Sequence, residues 1–483
     1  MNERIEKVDI LEMSIAKIHS AIEKGELTSK QLVSFYISRI ESMDRKGPCI
    51  NSVININPSA LTIAEKLDRQ YKQIGLTGPL HGIPVLLKDN ICTKGLETTA
   101  GSLSLEGFIP SRDAEIVSRL VKDGAIILAK TNLHEFAVWG ETYSSKQGQT
   151  LNPYDLTRTP GGSSGGTGAG VAANFGVIGI GTDTVNSIRS PASACSLVGL
   201  RPTKGLVSTK GIIPYSSTQD TAGPITRTVE DAVKCLQSIC DNDSICSDYL
   251  KHLKPNGLKG KRIGLLRSLF GNEKKHEEVN SVMALAIKDM VKHGASTVEI
   301  EDRINADDLV NSVSVHLHEL KCELNQFLQS QGNLIKMKDF EGIMNSGLLT
   351  KDVERNFNAA NKLAFEKDEY IIRLERRNNL RDRITKIMVQ NEVDALAFPH
   401  QKCPVVKVGE AQIDRNGVIA AITGFPSSTL PAGFTHPTAN APTGVPVGIE
   451  FLAKEFDEAT LIEISYGFEK VTQRRKPPVL ISS

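Results

Sequence analysis

The chain has 483 residues, of which 40% are hydrophobic and 23% charged, enough to bury a large core and ordinary for a soluble globular protein. Its 57 basic and 56 acidic side chains nearly cancel to a formal net charge of +1, which excludes a generally basic surface for nucleic acid. No apolar run is long enough to cross a bilayer, MNERIEKVDILEMS lacks the apolar centre of a signal peptide, and the eight cysteines contain no CxxC pair, so a cytoplasmic protein with reduced thiols is expected.

In chain order, ILEMSIAKIHSAI and LVSFYISRI carry apolar residues at helical spacing. Residues 8–45 therefore read as two helices, the second capped by Thr28 or Ser29. INSVINI reads as a short strand, and Pro58 and Ser59 open a helix running to about Tyr71. The first 60 or so residues read as a helical layer without evident chemistry. PVLLK then reads as a buried strand ending on Lys88. By residue type alone, a surface lysine closing the strand is the commoner case. His81, in the turn before it, orients a loop more readily than it serves as a base. DAEIVSRLVKDGAIILAKTN reads as helix, turn at Gly124 and strand, the alternation of an α/β layer. The single tryptophan, Trp139, fits either a core or a site wall.

The next stretch, Gly161 to Ser208, reads GGSSGGTGAGVAANFGVIGIGTDTVNSIRSPASACSLVGLRPTKGLVS. A flexible linker is excluded, because the run leads into the composition of a packed helix and a buried strand. GGSSGG satisfies G-x-S-x-G, but a nucleophile elbow follows a buried strand directly, and here the turn-rich NPYDLTRTP precedes it. A phosphate cradle also fails: there is no GK[ST], and GTGAGV misses the last glycine of GxGxxG.

This stretch resembles the signature of the amidase-signature family of serine hydrolases, roughly GGSSGGS, a small apolar helix, GTDxGGSIRxPA and GLKPT. The matches are Gly161 to Gly166, Gly181-Thr182-Asp183, Ser187-Ile188-Arg189, Pro191-Ala192 and Gly199 to Thr203, with Lys88 in the family's HGIPxxxKDN segment. The likeness runs from about Leu11 to the C-terminal KPP. It implies an α/β fold, one large domain over 1–483 with a central mixed β-sheet flanked by helices. It further implies Ser187 as nucleophile, a neutral Lys88 as ultimate base, and Ser163, preceded by a cis peptide, as proton relay between them. Backbone N–H groups of Thr184, Val185, Asn186 and Ser187 would bind the oxyanion, and Ser164, Asp183 and Arg189 would support the loop. No cofactor or metal is implied, the substrate is a small-molecule amide, and a homodimer is compatible with the sequence. One departure concerns Val185 and Asn186, which stand where the family has two glycines. Val185 is expected to keep negative φ, Asn186 to tolerate left-handed geometry, and both to narrow the space beside Ser187 toward slim or flat acyl groups.

Beyond the signature, TKGLVSTKGIIPYSSTQDTAGPITRT reads mostly as loop, with Gln219, Asp220 and Gly223-Pro224 walling the site. Residues 230–240 form a helix. About 241–390 is charged and largely helical with one strand in KRIGLLRS, and the resemblance marks it as the variable, substrate-side region. His316-Leu317-His318-Glu319 imitates a metal site by chance, since no second cluster supports it. VDALAFPHQ, ITGFPSSTLPAGF and TGVPVGIEFLA read as strands, and TLIEISYGFEKV as the last helix. A stand-alone amidase is favoured. One alternative is the glutaminase subunit of a tRNA-dependent amidotransferase, although KDFEGIMNSGLL occupies the place of that branch's RRxxLG-like segment. The other is a member that has lost catalysis and serves as a binding protein.

Overall fold

A computed structural model describes residues 9–241, 246 and 248–480, so the first residues of the N-terminal segment read above lie outside it. Helix α1 (Ile15–Glu23) turns its isoleucines inward, and α2 (Ser29–Arg39) opens on Thr28. There the Gln31 N–H donates to Thr28 Oγ1 at 3.1 Å and the Thr28 N–H to Gln31 Oε1 at 2.9 Å, satisfying two helix-end donors reciprocally. Helix α3 (Ala60–Ile74) ends at Gly75, whose φ of 78° lets the chain leave the helix, and α4 (Glu115–Lys122) follows it in the chain.

These helices cover a sheet of eleven strands. In chain order they are β1 (Val53–Ile56), β2 (Pro84–Lys88), β3 (Ile126–Thr131), β4 (Ile178–Asp183), β5 (Val198–Arg201) and β6 (Thr221–Thr226), then β7 (Arg262–Leu266), β8 (Ser296–Ile300), β9 (Ala395–Pro399), β10 (Ser427–Phe434) and β11 (Pro446–Leu452). Their spatial order is β1-β3-β2-β4-β6-β5-β10-β11-β9-β7-β8. The sheet is mixed: β3, β2 and β4 run parallel, as do β9, β7 and β8, while the strands between pair antiparallel. Both faces are covered, so β2, β3, β4 and β6 are buried end to end. This is the α/β class with a large mixed sheet that the resemblance implied.

Three strands differ from the sequence reading. β5 and β6 form within stretches read without a strand, and β8 is a second strand in the region where only KRIGLLRS was expected. Glycine and proline hid β6, but Pro224 lies beyond the two residue pairs that join β6 to β5, so its missing N–H breaks no ladder bond there. Only part of ITGFPSSTLPAGF is strand, because Val418–Thr423 forms a short helix first. Cys240 and Cys246 are joined as a disulfide, which corrects the expectation of reduced thiols throughout. Helix Val229–Ile239 ends just before Cys240, whose extended backbone leaves the two Cα atoms 6.4 Å apart.

The small-residue run becomes helix α5 (Gly165–Ala172), buried along its whole length. Its glycines answer to crowding. A Cβ on Gly166 would lie 2.2 Å from the Asn132 carbonyl oxygen, so any side chain there would push the helix off the sheet. The start of α5 is thereby held against the ends of β2 and β3.

Candidate active site

Lys88 ends β2 and Asp183 ends β4, and the two strands are parallel neighbours. Both residues thus emerge at the same sheet edge, the carboxyl ends of parallel strands, where open α/β sheets hold ligands. Ser163 comes to the same point from the loop before α5. The Gly162–Ser163 peptide is cis, and the Ser163 carbonyl accepts the His134 N–H at 3.0 Å. Lys88 Nζ lies 2.7 Å from Ser163 Oγ and 2.8 Å from Thr182 Oγ1, which also accepts from Asn90 Nδ2 at 3.1 Å.

Lys88 is completely buried, and its contacts are neutral oxygens. Burial pushes its amine down to about 7, against the pull of the Asp183 and Asp220 carboxylates. Asp183 is itself committed elsewhere. It accepts from Arg189 Nε at 3.1 Å, from Arg201 Nη1 at 2.8 Å and from the Ile188 N–H at 3.0 Å. Burial alone would raise its carboxyl, but the two guanidinium groups hold it well below the usual range. Arg189 also donates to Glu450 at 2.5 Å and to the Val185 carbonyl at 2.8 Å. Glu450 accepts from His400 Nδ1 at 2.7 Å and Ser427 Oγ at 2.7 Å. Two carboxylates and two guanidiniums therefore share one fully buried cluster beneath residues 184–187.

The loop above that cluster is tied at several points. Gln219 Nε2 donates to the Thr184 carbonyl at 2.9 Å, and Thr184 Oγ1 to Asp220 at 2.6 Å. The Ser164 N–H donates to the Ser187 carbonyl at 3.3 Å, while Ser164 Oγ bonds Thr182 rather than Ser163. Neither Val185 nor Asn186 has a positive φ, so Asn186 does not use left-handed geometry. The N–H groups of Val185, Asn186 and Ser187 make no hydrogen bond to any described residue. They are three consecutive free donors beside Ser187.

Ser187, Val185 and Asn186 line a cavity of about 400 Å³ together with Trp139, His316 and Arg415. Trp139 is half-exposed, with the Arg415 guanidinium 5.5 Å from its ring centre, so it belongs to the site wall and not to the core. The sequence reading assigned no role to Thr182, which it had matched only as motif, and missed Glu450 and His400. A polar residue inside an apolar strand, as in GIEFL, was the one available signal for Glu450. His81 serves its loop, its Nδ1 meeting the Thr77 N–H at 3.2 Å. The HLHE residues do not converge on one point: Glu319 accepts from Ser216, Thr218 and Tyr370, while His316 faces the cavity.

His276, Cys403 and Asp414 form another group with metal-ligand chemistry. There His276 Nδ1 accepts the Glu273 N–H at 3.0 Å, which places the ring proton on Nε2, facing Asp414 at 3.3 Å. Lys275 Nζ takes the same carboxylate oxygen at 2.9 Å. With a protonated Nε2 and an ammonium already in place, the group is arranged as an ion-pair cluster rather than as a set of metal ligands.

The family model described as Amidase matches residues 31–462. A probable amidase of Arabidopsis thaliana is 35% identical, the alignment covering 98% of this chain and 92% of that protein. The A subunit of the glutamyl-tRNA(Gln) amidotransferase of a Synechococcus sp. is 32% identical, with 96% of this chain and 93% of that protein covered. Among solved structures, native peptide amidase from Stenotrophomonas maltophilia superimposes with a TM-score of 0.88 at 34% identity, over 97% of this chain and 99% of that one.

Proposed function

The chain belongs to the amidase family of amide-bond hydrolases, and from that premise we propose that it cleaves a carboxylic amide through an acyl-enzyme on Ser187. An amide needs an activated nucleophile, a stabilised oxyanion and a proton for the leaving nitrogen. In this reading Ser187 Oγ attacks the carbonyl carbon while its proton passes to Ser163 and from Ser163 to Lys88. The free N–H groups of residues 185–187 receive the oxyanion. The proton then returns through Ser163 to the departing nitrogen, and water releases the acid by the reverse relay. The observation that carries the reading is a buried amine without a carboxylate partner, 2.7 Å from the hydroxyl of Ser163.

The likeness to peptide amidase supports a small, peptide-like amide as substrate. The likeness to an amidotransferase component supports a second, glutaminase reading, which the absent RRxxLG-like segment disfavours. Free donors at residues 185–187 weigh against the binding-protein reading, because the replaced glycines have not closed the loop. A cytoplasmic setting is supported by six unpaired cysteines, with Cys240–Cys246 as the exception, and no described helix is long and apolar enough to cross a membrane. The test is phosphonate labelling mapped by mass spectrometry, beside ammonia release from simple amides. Ser187→Ala should lose the adduct and all turnover. Ser163→Ala and Lys88→Ala should each cut turnover at least about a thousandfold, and the double variant little further, as for groups acting in one unit. Wild-type turnover in Ser187→Ala would refute the assignment.

A further inference from the structure

The cavity holds one polar group whose proton can be placed by counting donors and acceptors alone. Gln219 spans two elements. Its Nε2 donates to the Thr184 carbonyl at 2.9 Å, so its Oε1 is the acceptor, and Oε1 receives the Val315 N–H at 2.9 Å. Ser314 Oγ also lies 2.9 Å from Oε1 and must donate there, because the oxygen has no proton to give. A hydroxyl has one proton. The 2.6 Å contact between Ser314 Oγ and His316 Nδ1 is therefore donated by the ring, and the proton of neutral His316 sits on Nδ1. Its Nε2 carries a lone pair, has no partner among the described residues and belongs to a ring that lines the cavity beside Ser187. The edge of this ring stands at 90° to Tyr215, with centroids 5.2 Å apart, which fixes its plane. Burial, helped by Arg373 and His318, pushes the ring down to about 4, so it stays an acceptor at neutral pH.

We infer that His316 Nε2 is a specificity acceptor that selects amides whose acyl portion carries an N–H donor, as a peptide-like acyl group does. The inference rests on the amidase reading and names the substrate class within it. Two further features fit. The acceptor is tied through Ser314 and Gln219 to the Thr184 carbonyl, so substrate binding at His316 and the oxyanion loop share one set of hydrogen bonds. A site built around a fixed buried acceptor also discriminates strongly, because the wrong substrate leaves that acceptor unpaired.

The experiment compares N-acetyl-leucinamide with its ester isostere, 2-acetoxy-4-methylpentanamide, in which oxygen replaces the N–H. Ammonia release from each gives a kcat/KM ratio, and a general loss of activity cancels from it. The native enzyme should favour the N–H compound roughly tenfold or more. His316→Phe should bring the ratio near unity, His316→Gln should restore part of it through its amide oxygen, and Ser314→Ala should lower it by freeing the tautomer. A native ratio near unity, or a ratio that survives His316→Phe, overturns the inference while ammonia release leaves the amidase reading standing. Where neither amide is cleaved and no phosphonate adduct forms, the amidase reading fails instead. Calorimetric Kd values for the same two compounds then decide the His316 question: a preference for the N–H compound that His316→Phe removes upholds it, and equal binding overturns it.

Discussion

In the proposed mechanism Lys88 serves as the base because of what surrounds it. Burial lowers its amine to about 7, and Asp183, the carboxylate that pulls hardest the other way, is itself paired with Arg189 and Arg201. Below that value the amine is an ammonium with no lone pair to accept a proton from Ser163; above it the neutral form dominates. The acylation rate, measured before steady state with a simple amide, should therefore rise with pH through a single group near 7, falling about tenfold per unit on the acid side. An acylation rate constant down to about pH 5 would remove lysine from the role. Lys88 was visible in sequence because its segment matches HGIPxxxKDN. Thr182 and Asn90 lie in the matched segments too, but that Asn90 bonds Thr182 and Thr182 meets the Lys88 amine was not legible, since those contacts exist only once the strands are paired.

At the scale of the element, residues 184–187 form a loop whose carbonyls are tied down, while the N–H groups of 185–187 meet no described residue. Arg189 holds the Val185 carbonyl at 2.8 Å, and Gln219 holds that of Thr184 at 2.9 Å. With its backbone so anchored, the loop does not depend on the positive φ that only glycine takes easily, which is how Val185 and Asn186 can occupy it. Their side chains line the cavity instead. Val185→Gly with Asn186→Gly should thus widen tolerance for branched acyl groups, read as the kcat/KM ratio of a branched to a linear amide, while lowering stability by roughly 1–2 kcal/mol through added backbone freedom. An unchanged ratio would mean that these two side chains do not set the width. Sequence signalled this loop by motif. It could not signal β5 and β6, whose Gly-Leu-Arg and Thr-Ala-Gly-Pro segments have poor strand propensity and owe their conformation to neighbours on both sides.

Across the whole molecule, the loop at 184–187 is braced by a residue far down the chain. Glu450 on β11 meets Arg189, His400 and Ser427, all buried. Burial alone would raise its carboxyl, but Arg189 and His400 hold it below the usual range. Glu450→Ala leaves a guanidinium underpaired in the interior, so it should cost about 3–5 kcal/mol in urea denaturation and slow phosphonate labelling of Ser187. Glu450→Gln, which keeps an acceptor oxygen, should lie between. A labelling rate equal to the native one in Glu450→Ala would show that the loop stands without this support. The α/β alternation and the three catalytic candidates were legible because each sits in one continuous segment. The buried charge cluster was not, because nothing local to GIEFL says that its glutamate will face an arginine on another element.

The same arrangement sets an order of events during synthesis. β10 and β11 follow all the other described strands in chain order, yet β10 fills the slot between β5 and β11 in the middle of the sheet. Until then β5 presents an open interior edge, and Arg189 has no Glu450. A nascent chain stalled before residue 427 carries Lys88, Ser163 and Ser187 but has neither a closed sheet nor a braced loop. Such a chain exposes apolar strand edges until β10 and β11 are made, and Ser187 waits for its braced loop until Glu450 has been added.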